Sequence, residues 1–171
     1  MDDTRLRPKS LLDLIGDTPL IELPRLAPKQ GVRVFAKLEG ANPSGSVKDR
    51  IAKHMITRAE ADGSLTHDKT VLEPTSGNTG ISLAMVGRLK GYKVAVVMPE
   101  NVSVERSQLL EAYGAEIIPS DGSRGTNGSI EVAKDLVEKN PHDYLMLYQY
   151  GNPGNPNAHY ETTGQEIVAA L

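Results

Sequence analysis

From Thr70 onward, short apolar segments alternate with longer amphipathic segments, and this alternation limits the possible folds more than any other feature. Four of the short segments predict strands, at 70–73, 93–98, 115–118 and 144–148. Each precedes a segment that predicts a helix, at 79–90, 104–113, 129–139 and from about residue 158 to 171. Strand–helix units repeated in this way predict an α/β fold, a parallel twisted sheet with helices on both faces.

The loops that follow the predicted strands meet in such a fold. Because crossovers between parallel strands are right-handed, the loops at 74–78, 99–103, 120–128 and 149–157 lie at the same edge of the sheet. Ligands of open α/β sheets bind in the crevice at that edge. The sequence therefore predicts a functional site there.

The loop after the first of these strands has a composition that suits an anion. Residues Pro74–Gly80 read Pro-Thr-Ser-Gly-Asn-Thr-Gly, between the apolar pair Val71-Leu72 and an apolar segment at 81–89. Backbone N–H groups and short hydroxyls at a helix start suit a carboxylate or a phosphate, because the helix dipole is positive there. An ordinary turn is the alternative, since glycine, serine and asparagine dominate turns.

Lys48 lies at the predicted start of an earlier helix. Ser46 is the predicted cap, and apolar residues follow at helical spacing, namely Ile51, Ala52, Met55, Ile56 and Ala59. A cation in the first turn opposes the helix dipole by about 0.3–1 kcal/mol. A solvated surface lysine beside Asp49 is one interpretation. The other is an amine wanted in its neutral form, as a nucleophilic or Schiff-base lysine requires.

Composition excludes several classes of function. The chain has 171 residues, a formal net charge of −3 and no cysteine, so a disulfide framework, a cysteine nucleophile and a thiolate metal site are excluded. The mixed charges argue against a nucleic-acid surface, and no apolar run reaches the ~20 residues of a membrane span. The histidines show no paired spacing for a metal. Because Met1–Arg5 lacks the apolar region of a signal peptide, a cytoplasmic protein is expected.

Several segments resemble motifs of one enzyme family. Asn42–Arg50, which reads Asn-Pro-Ser-Gly-Ser-Val-Lys-Asp-Arg, resembles the Schiff-base lysine motif of the β-family of pyridoxal-phosphate enzymes, which have fold type II. Glu73–Gly80 resembles the substrate-carboxylate loop of that family. Segments at 98–101, 103–106 and 149–153 resemble cysteine synthases, especially those of the B-type. The resemblance runs from about Ser10 to the end of the chain.

The resemblance implies roles for individual residues. Lys48 would hold the cofactor, pyridoxal 5′-phosphate, as a Schiff base and would then remove the α-proton of the substrate. Asn78 would hydrogen-bond the phenolic oxygen of the cofactor. The amino-acid carboxylate would be bound by Thr75, Ser76, Gly77, Asn78, Thr79 and Gln149. Glu73 lies at the end of a predicted strand, and we interpret it as a residue with a structural role.

The resemblance also implies a reaction, which is β-replacement on an activated serine. O-acetylserine or O-phosphoserine would lose its leaving group to give an aminoacrylate, and a sulfur nucleophile would add to it to form cysteine. A cystathionine β-synthase, which uses homocysteine, is one alternative, and a non-catalytic fragment that acts by association is another. The family implies a homodimer, with serine acetyltransferase or a sulfur-carrier protein as further partners.

The resemblance divides the chain between two domains. Residues 1–40 and 156–171 would belong to a larger second domain, and residues 41–155 would form a small α/β domain that carries Lys48. Within the first segment, alternating side chains over Val32–Glu39 predict a strand. The family continues with a loop for the cofactor phosphate and a Ser or Thr facing the pyridine nitrogen, which this sequence lacks. We therefore expect the 171-residue chain to be inactive alone.

Overall fold

A parallel β-sheet with helices on both faces forms the centre of the computed structural model, which describes residues 10–171. Within these residues the strands are β1 Leu20–Glu22, β2 Phe35–Lys37, β3 Thr70–Pro74, β4 Lys93–Pro99, β5 Glu116–Ser120 and β6 Tyr144–Met146. The α-helices are α1 Lys48–Ala61, α2 Asn78–Lys90, α3 Val104–Ala112, α4 Gly125–Lys139, α5 Gly154–Ala158 and α6 Gly164–Ala170.

The main sheet has the strand order β5-β4-β3-β6, and each neighbouring pair is parallel. β3 pairs with β4 from Thr70↔Lys93 to Pro74↔Val97, and it pairs with β6 on its other side. Strands that are joined through helices run parallel because the crossover returns the chain to the same end of the sheet. The loop after β3 therefore lies in the middle of the sheet edge at which ligands are expected.

Side chains of the central strands alternate between two apolar cores. Val71 and Val96 belong to a core shared with α1 and α2, whereas Leu72 and Val97 belong to a core shared with Ala133 of α4. Successive residues of a strand point to opposite faces, so β3 and β4 are covered on both sides. This arrangement confirms the predicted parallel sheet with helices on both faces.

The helices α1 and α2 pack closely against the sheet and against each other. The apolar residues predicted to face the core from α1 are all buried, namely Ile51, Ala52, Met55, Ile56 and Ala59. α2 is buried from Thr79 to Gly87. A Cβ atom added at Gly87 would be 2.3 Å from Cγ2 of Val94, so glycine allows the close approach of α2 and β4.

β1 and β2 form a separate antiparallel ribbon, in which Leu20 pairs with Lys37 and Glu22 with Phe35. The predicted strand over Val32–Glu39 is too long, because only Phe35–Lys37 has strand structure. β1 offers backbone partners to three residues only, and alternation of side chains cannot reveal how long the neighbouring strand is.

Several predicted boundaries of helices and strands were wrong by a few residues. The helix predicted at 129–139 begins at Gly125, because Asp121 accepts a hydrogen bond from the Ser123 N–H and starts a 3-10 turn that leads directly into α4. The strand predicted at 115–118 spans 116–120, and the one predicted at 144–148 ends at Met146. The loop predicted at 120–128 is therefore much shorter.

A largely buried group of charged and polar side chains joins an early and a late segment of the chain to α1. Arg50 is 3% exposed and binds Glu39 at 2.8 Å and Glu166 at 2.5 Å. Lys37 also binds Glu166, at 2.6 Å, and Thr18 donates to Glu39 at 2.7 Å. We call these five residues the Arg50 cluster. It connects the β1–β2 ribbon, α1 and α6.

The last part of the chain is helical without interruption. α5 continues into a π-helical turn at His159–Thr163 and then into α6, so the predicted final helix begins earlier than expected, at Gly154. Among residues 10–171, no helix combines the length and the apolar character needed to cross a membrane. The described part of the predicted 1–40 segment consists of residues 10–40, and residues 1–9 lie outside the described residues.

Candidate active site

Lys48 is the first residue of α1, where the sequence placed it. The Ser46 hydroxyl accepts a hydrogen bond from the backbone N–H of Lys48 at 3.1 Å, which satisfies one of the free donors at the helix start. Val47, rather than Ser46, occupies the last position before the helix, with helical backbone angles. Ser46, the predicted cap, therefore still binds an N–H group of the first turn, but it lies one residue before the N-cap position.

The turn before Lys48 is fixed against the neighbouring helix. Asp49, which is fully buried, accepts a hydrogen bond from the Ser44 N–H at 2.8 Å and a second, very short one from the Ser44 hydroxyl. The same hydroxyl lies 3.2 Å from Oγ of Ser82 in α2. The start of α1 is thus held beside the first turns of α2.

The Lys48 amine has no hydrogen bond or ion pair with any other residue in the range 10–171, and the side chain is partly buried. The amine is close enough to the π-helical turn for its charge to act on His159. The pKa of His159 is lowered by burial, and further by the charges of Lys48 and Arg50. The amine is therefore within electrostatic reach of other groups yet is not occupied by a partner.

The loop between β3 and α2 presents donors that lack acceptors. Its first amide, that of Thr75, is bound to the Val97 carbonyl at 2.9 Å. α2 has no side-chain cap, and no acceptor among the described residues binds the backbone N–H groups of Ser76, Asn78 or Thr79. Unpaired N–H groups at the positive end of a helix form a binding site for an anion.

The structure brings Gln149 to this loop from a distant part of the sequence. Its Oε1 accepts a hydrogen bond from the Thr79 hydroxyl at 2.6 Å, and the side chains of both residues are buried. Thr75 is also buried, Ser76 and Gly77 are partly exposed, and Asn78 is exposed. The predicted substrate-binding residues therefore form one continuous segment, which comprises the loop residues Thr75, Ser76 and Gly77 and the first helical residues Asn78 and Thr79, with Gln149 against its end.

Glu73 was interpreted from the sequence only as structural, yet its carboxylate touches this site. It is fully buried and accepts hydrogen bonds from the N–H groups of Tyr148 at 2.8 Å and Gln149 at 3.0 Å. Burial raises its pKa to about 7, against the effect of the hydrogen bonds from Gln149 and Tyr148. An acidic residue inside an apolar strand is the sequence signal that could have identified it.

No group of three or more histidine, aspartate or glutamate side chains within residues 10–171 is arranged to hold a metal ion. The site is instead defined by one unoccupied amine and a set of N–H and hydroxyl donors. Such groups bind carboxylates, phosphates and carbonyl compounds.

Known proteins resemble this chain in sequence. The model of a family described as pyridoxal-phosphate dependent enzymes matches residues 11–171. A Bacillus subtilis (strain 168) protein named "Probable cysteine synthase" is 50% identical over 159 residues, which is 93% of this chain and 51% of the relative. A cysteine synthase of Flavobacterium is 47% identical over 94% of this chain and 52% of its own. The chain spans about half the length of these relatives.

Solved structures give the same result. The cysteine synthase of Entamoeba histolytica superimposes with a TM-score of 0.90 at 40% identity, over 98% of this chain and 50% of that protein. An O-ureido-L-serine synthase has a TM-score of 0.89 at 43% identity, over 96% of this chain and 51% of its own. These matches confirm the resemblance to cysteine synthases and the fold predicted from it. The chain belongs to the family of pyridoxal-phosphate dependent enzymes.

Proposed function

We propose that this chain supplies the lysine and the carboxylate-binding loop of a pyridoxal-phosphate-dependent cysteine synthase, a transferase of cysteine biosynthesis. The proposal depends on two features that occur together. The Lys48 amine, at the start of α1, has no partner among residues 10–171, and the start of α2 has no side-chain cap. The names of the similar proteins support cysteine synthesis as the reaction of the whole protein.

The residues of the site fit pyridoxal phosphate and an amino-acid substrate. Lys48 is free of hydrogen bonds and ion pairs within residues 10–171, so its amine is available to bond an aldehyde. Asn78 is exposed at the start of α2, and its side-chain amide would hydrogen-bond the phenolic oxygen of the cofactor. The bound cofactor supplies an electron sink for the α-carbon of an amino acid.

The loop would bind and orient the substrate through its carboxylate. The N–H groups of Ser76, Asn78 and Thr79 are unpaired donors, and the positive end of the α2 dipole favours a negative charge there. The hydroxyls of Thr75 and Ser76 and the side chain of Gln149 complete the site. A carboxylate held at this point fixes the α-carbon relative to the Lys48 amine, whose Nζ would then take the α-proton.

We propose the two-domain division that the family implies. The partners of Arg50 come from the segments assigned to the second domain, with Thr18 and Glu39 on one side and Thr162 and Glu166 on the other. Lys37 of the first segment also binds Glu166 of the last one directly, at 2.6 Å. These contacts support a common assignment of residues 1–40 and 156–171. We also propose a cytoplasmic homodimer. Serine acetyltransferase or a sulfur-carrier protein would be a further partner of the whole enzyme.

Reduction with borohydride tests the assignment of Lys48. We expect the chain incubated with pyridoxal phosphate and then reduced to carry one pyridoxyl group, which peptide mass spectrometry maps to Lys48. Lys53 provides a matched control on the same helix, because its amine is bound to the Leu12 carbonyl at 2.9 Å. Lys48→Ala should lose the adduct and Lys53→Ala should retain it. Equal labelling of both lysines in the parent chain would contradict the proposal.

A cystathionine β-synthase remains the second candidate for the whole protein. An O-acetylserine dependent cystathionine β-synthase of Helicobacter pylori superimposes with a TM-score of 0.89 at 39% identity, over 97% of this chain and 55% of that protein. A competition assay with sulfide and homocysteine in the whole protein separates the two, since cysteine or cystathionine is then the main product. Offering O-acetylserine and O-phosphoserine in parallel identifies the leaving group.

A further inference from the structure

Glu73 is a buried charged group that the proposed reaction does not use. It is the penultimate residue of the apolar strand β3 and has no cation as a hydrogen-bonding partner among the described residues. Burial of an unpaired charge is costly. Among residues 10–171, the groups that hydrogen-bond it belong to Tyr148 and Gln149, in the segment that follows β6, so the arrangement of that segment explains why the carboxylate is there.

The two carboxylate oxygens fix two successive residues. Oε2 accepts from the Tyr148 N–H at 2.8 Å, and Oε1 accepts from the Gln149 N–H at 3.0 Å. An ionised carboxylate accepts hydrogen bonds at both of its oxygens. In glutamine an NH2 donor replaces one oxygen, and in protonated glutamate one oxygen carries a proton, so each has a single carbonyl oxygen as its acceptor. A neutral side chain at this position would leave one of the two N–H groups without an acceptor.

The backbone of Tyr148 requires this support. Its φ angle is +54°, in the left-handed region that non-glycine residues rarely occupy. Such conformations persist where the surrounding structure determines them. The Tyr148 carbonyl accepts hydrogen bonds from the Gly151 and Asn152 N–H groups, both at 3.0 Å. The strained residue is thus held at its N–H by Glu73 and at its carbonyl by the following turn.

Gln149 is held at three points. Its N–H is bound by Glu73, its carbonyl accepts from the Asn155 side chain at 3.0 Å, and its Oε1 accepts from the Thr79 hydroxyl at 2.6 Å. Glu73 and Thr79 flank the loop at 75–78, one at the end of β3 and one in the first turn of α2. Gln149 therefore connects the two ends of the proposed carboxylate loop.

We propose that Glu73 is a positioning residue that holds Gln149 against Thr79 and so sets the geometry of the substrate-carboxylate site. This inference rests on the proposed function, since it assigns a consequence to the carboxylate loop. Glu73 itself does not touch the substrate. It acts through residues 148 and 149, chiefly through their backbone N–H groups.

The proposal has a consequence for pH dependence. The pKa of Glu73 is raised to about 7, chiefly by burial, so the carboxylate becomes protonated as the pH falls through neutrality and loses one acceptor. Two other groups face this region. The pKa of Tyr150 is raised by burial and then by the charge of Glu73, and the Lys134 amine lies 5.6 Å from the centre of the Tyr148 ring. Because its pKa is raised, the Tyr150 phenol is neutral at pH 7.

The experiment compares this chain with its Glu73→Gln variant. Amide hydrogen exchange followed by NMR reports how firmly residues 148 and 149 are held, and calorimetry reports binding of O-acetyl-L-serine. We expect Glu73→Gln to speed exchange of the Tyr148 and Gln149 amides and to weaken O-acetyl-L-serine binding about tenfold, as the loss of a buried hydrogen bond does. Borohydride labelling of Lys48 should not change.

Glu116→Gln is the matched control, because it makes the same chemical change at an exposed residue of β5. It should match the parent chain in all three measurements. Faster exchange without weaker binding would show a merely structural role and would overturn the inference, as would unchanged exchange. If the parent chain itself does not bind O-acetyl-L-serine, the proposed function fails. If the parent chain binds it and Glu73→Gln binds it equally well, the proposed function stands and this inference alone fails.

The parent chain alone keeps the inference testable if Glu73→Gln does not fold. The protection factor of the Gln149 amide, which removes the base catalysis of intrinsic exchange, should fall, and O-acetyl-L-serine should bind more weakly, as the pH is lowered from about 8 to about 6 across the pKa of Glu73. Binding and exchange that stay constant over this range would overturn the inference.

Discussion

The Arg50 cluster and the loop before α2 are both polar, yet they differ in how completely their groups are paired. In the cluster, Arg50 donates to Glu39 and Glu166 through three different nitrogens, and Lys37 binds Glu166 as well. In the loop, the N–H groups of Ser76, Asn78 and Thr79 have no acceptor among residues 10–171. A paired cluster stabilises the fold, whereas unpaired donors are available to a ligand. Pairing, rather than polarity, distinguishes the two.

Removing Arg50 tests the structural side of this comparison and should have the largest effect. Arg50→Met leaves the carboxylates of Glu39 and Glu166 partly buried without their main partner, and breaking a buried ion pair costs about 3–5 kcal/mol. Urea denaturation of the variant and the parent chain measures the change in the free energy of unfolding.

Arg33→Met is the control for this variant. Arg33 forms a similar two-point contact with Glu22 at 2.8 and 2.9 Å, but both side chains are largely exposed. Exposed ion pairs contribute little, because water and salt screen them. A loss as large for Arg33→Met as for Arg50→Met would show that burial is not what makes the cluster important.

Two glycines at opposite ends of α2 distinguish packing from ligand binding. A Cβ at Gly87 would overlap Val94, so Gly87→Ala should lower the free energy of unfolding by about 1–3 kcal/mol. At Gly77, just before α2, an added Cβ meets no atom within 4 Å. Gly77→Ala should keep the stability of the parent chain while weakening O-acetyl-L-serine binding, since the methyl group occupies the proposed ligand space.

Thermal unfolding and calorimetry with O-acetyl-L-serine check both variants. Weaker binding in Gly87→Ala at temperatures where it is folded, together with unchanged binding in Gly77→Ala, would contradict the assignment of the loop as the site.

The two regions should respond to pH with opposite signs. The hydrogen bond from Arg50 lowers the pKa of Glu166 to about 2, from an ordinary value of 4.5. Its contribution to stability is therefore present above pH 4.5 and is lost as the pH falls toward 2. Burial raises the pKa of Glu73 to about 7, so its contribution is present below pH 4.5 and is lost as the pH rises through 7.

Urea denaturation of the parent chain across this pH range, with Glu166→Gln and Glu73→Gln, separates the contributions. Glu166→Gln should flatten the acidic part of the profile, and Glu73→Gln should flatten the part between pH 4.5 and 7. The assignment fails if either substitution flattens the other part.

Local patterns in the sequence predict much of this structure. Apolar spacing placed α1 correctly, and the strand–helix alternation gave the parallel sheet, because each pattern reflects burial on one face. The proposed site residues of the loop are contiguous, so one motif proposes them together. A second local pattern proposes Lys48, since a cation at a helix start conflicts with the helix dipole.

The remaining features depend on contacts between distant residues. Glu73 and Gln149 are separated by 76 positions, and Arg50 and Glu166 by 116, so no local pattern connects them. Whether a buried charge has a partner is visible only after the chain has folded. Element ends are uncertain for a related reason: a bond such as that of Asp121 to the Ser123 N–H starts a turn that apolar spacing does not record.

The smallest predicted effect concerns Lys48 and has the opposite direction to the others. Lys48→Met keeps the aliphatic part of the side chain and removes a positive charge from the start of α1, where it opposes the helix dipole. Since the amine has no partner among the described residues, the substitution removes no hydrogen bond or ion pair. The free energy of unfolding should therefore rise by about 0.3–1 kcal/mol. Lys53→Met should instead lower it, because that amine is bound to the Leu12 carbonyl. A residue kept at a cost to stability is characteristic of a functional site, so a clear loss of stability in Lys48→Met would assign Lys48 a structural role.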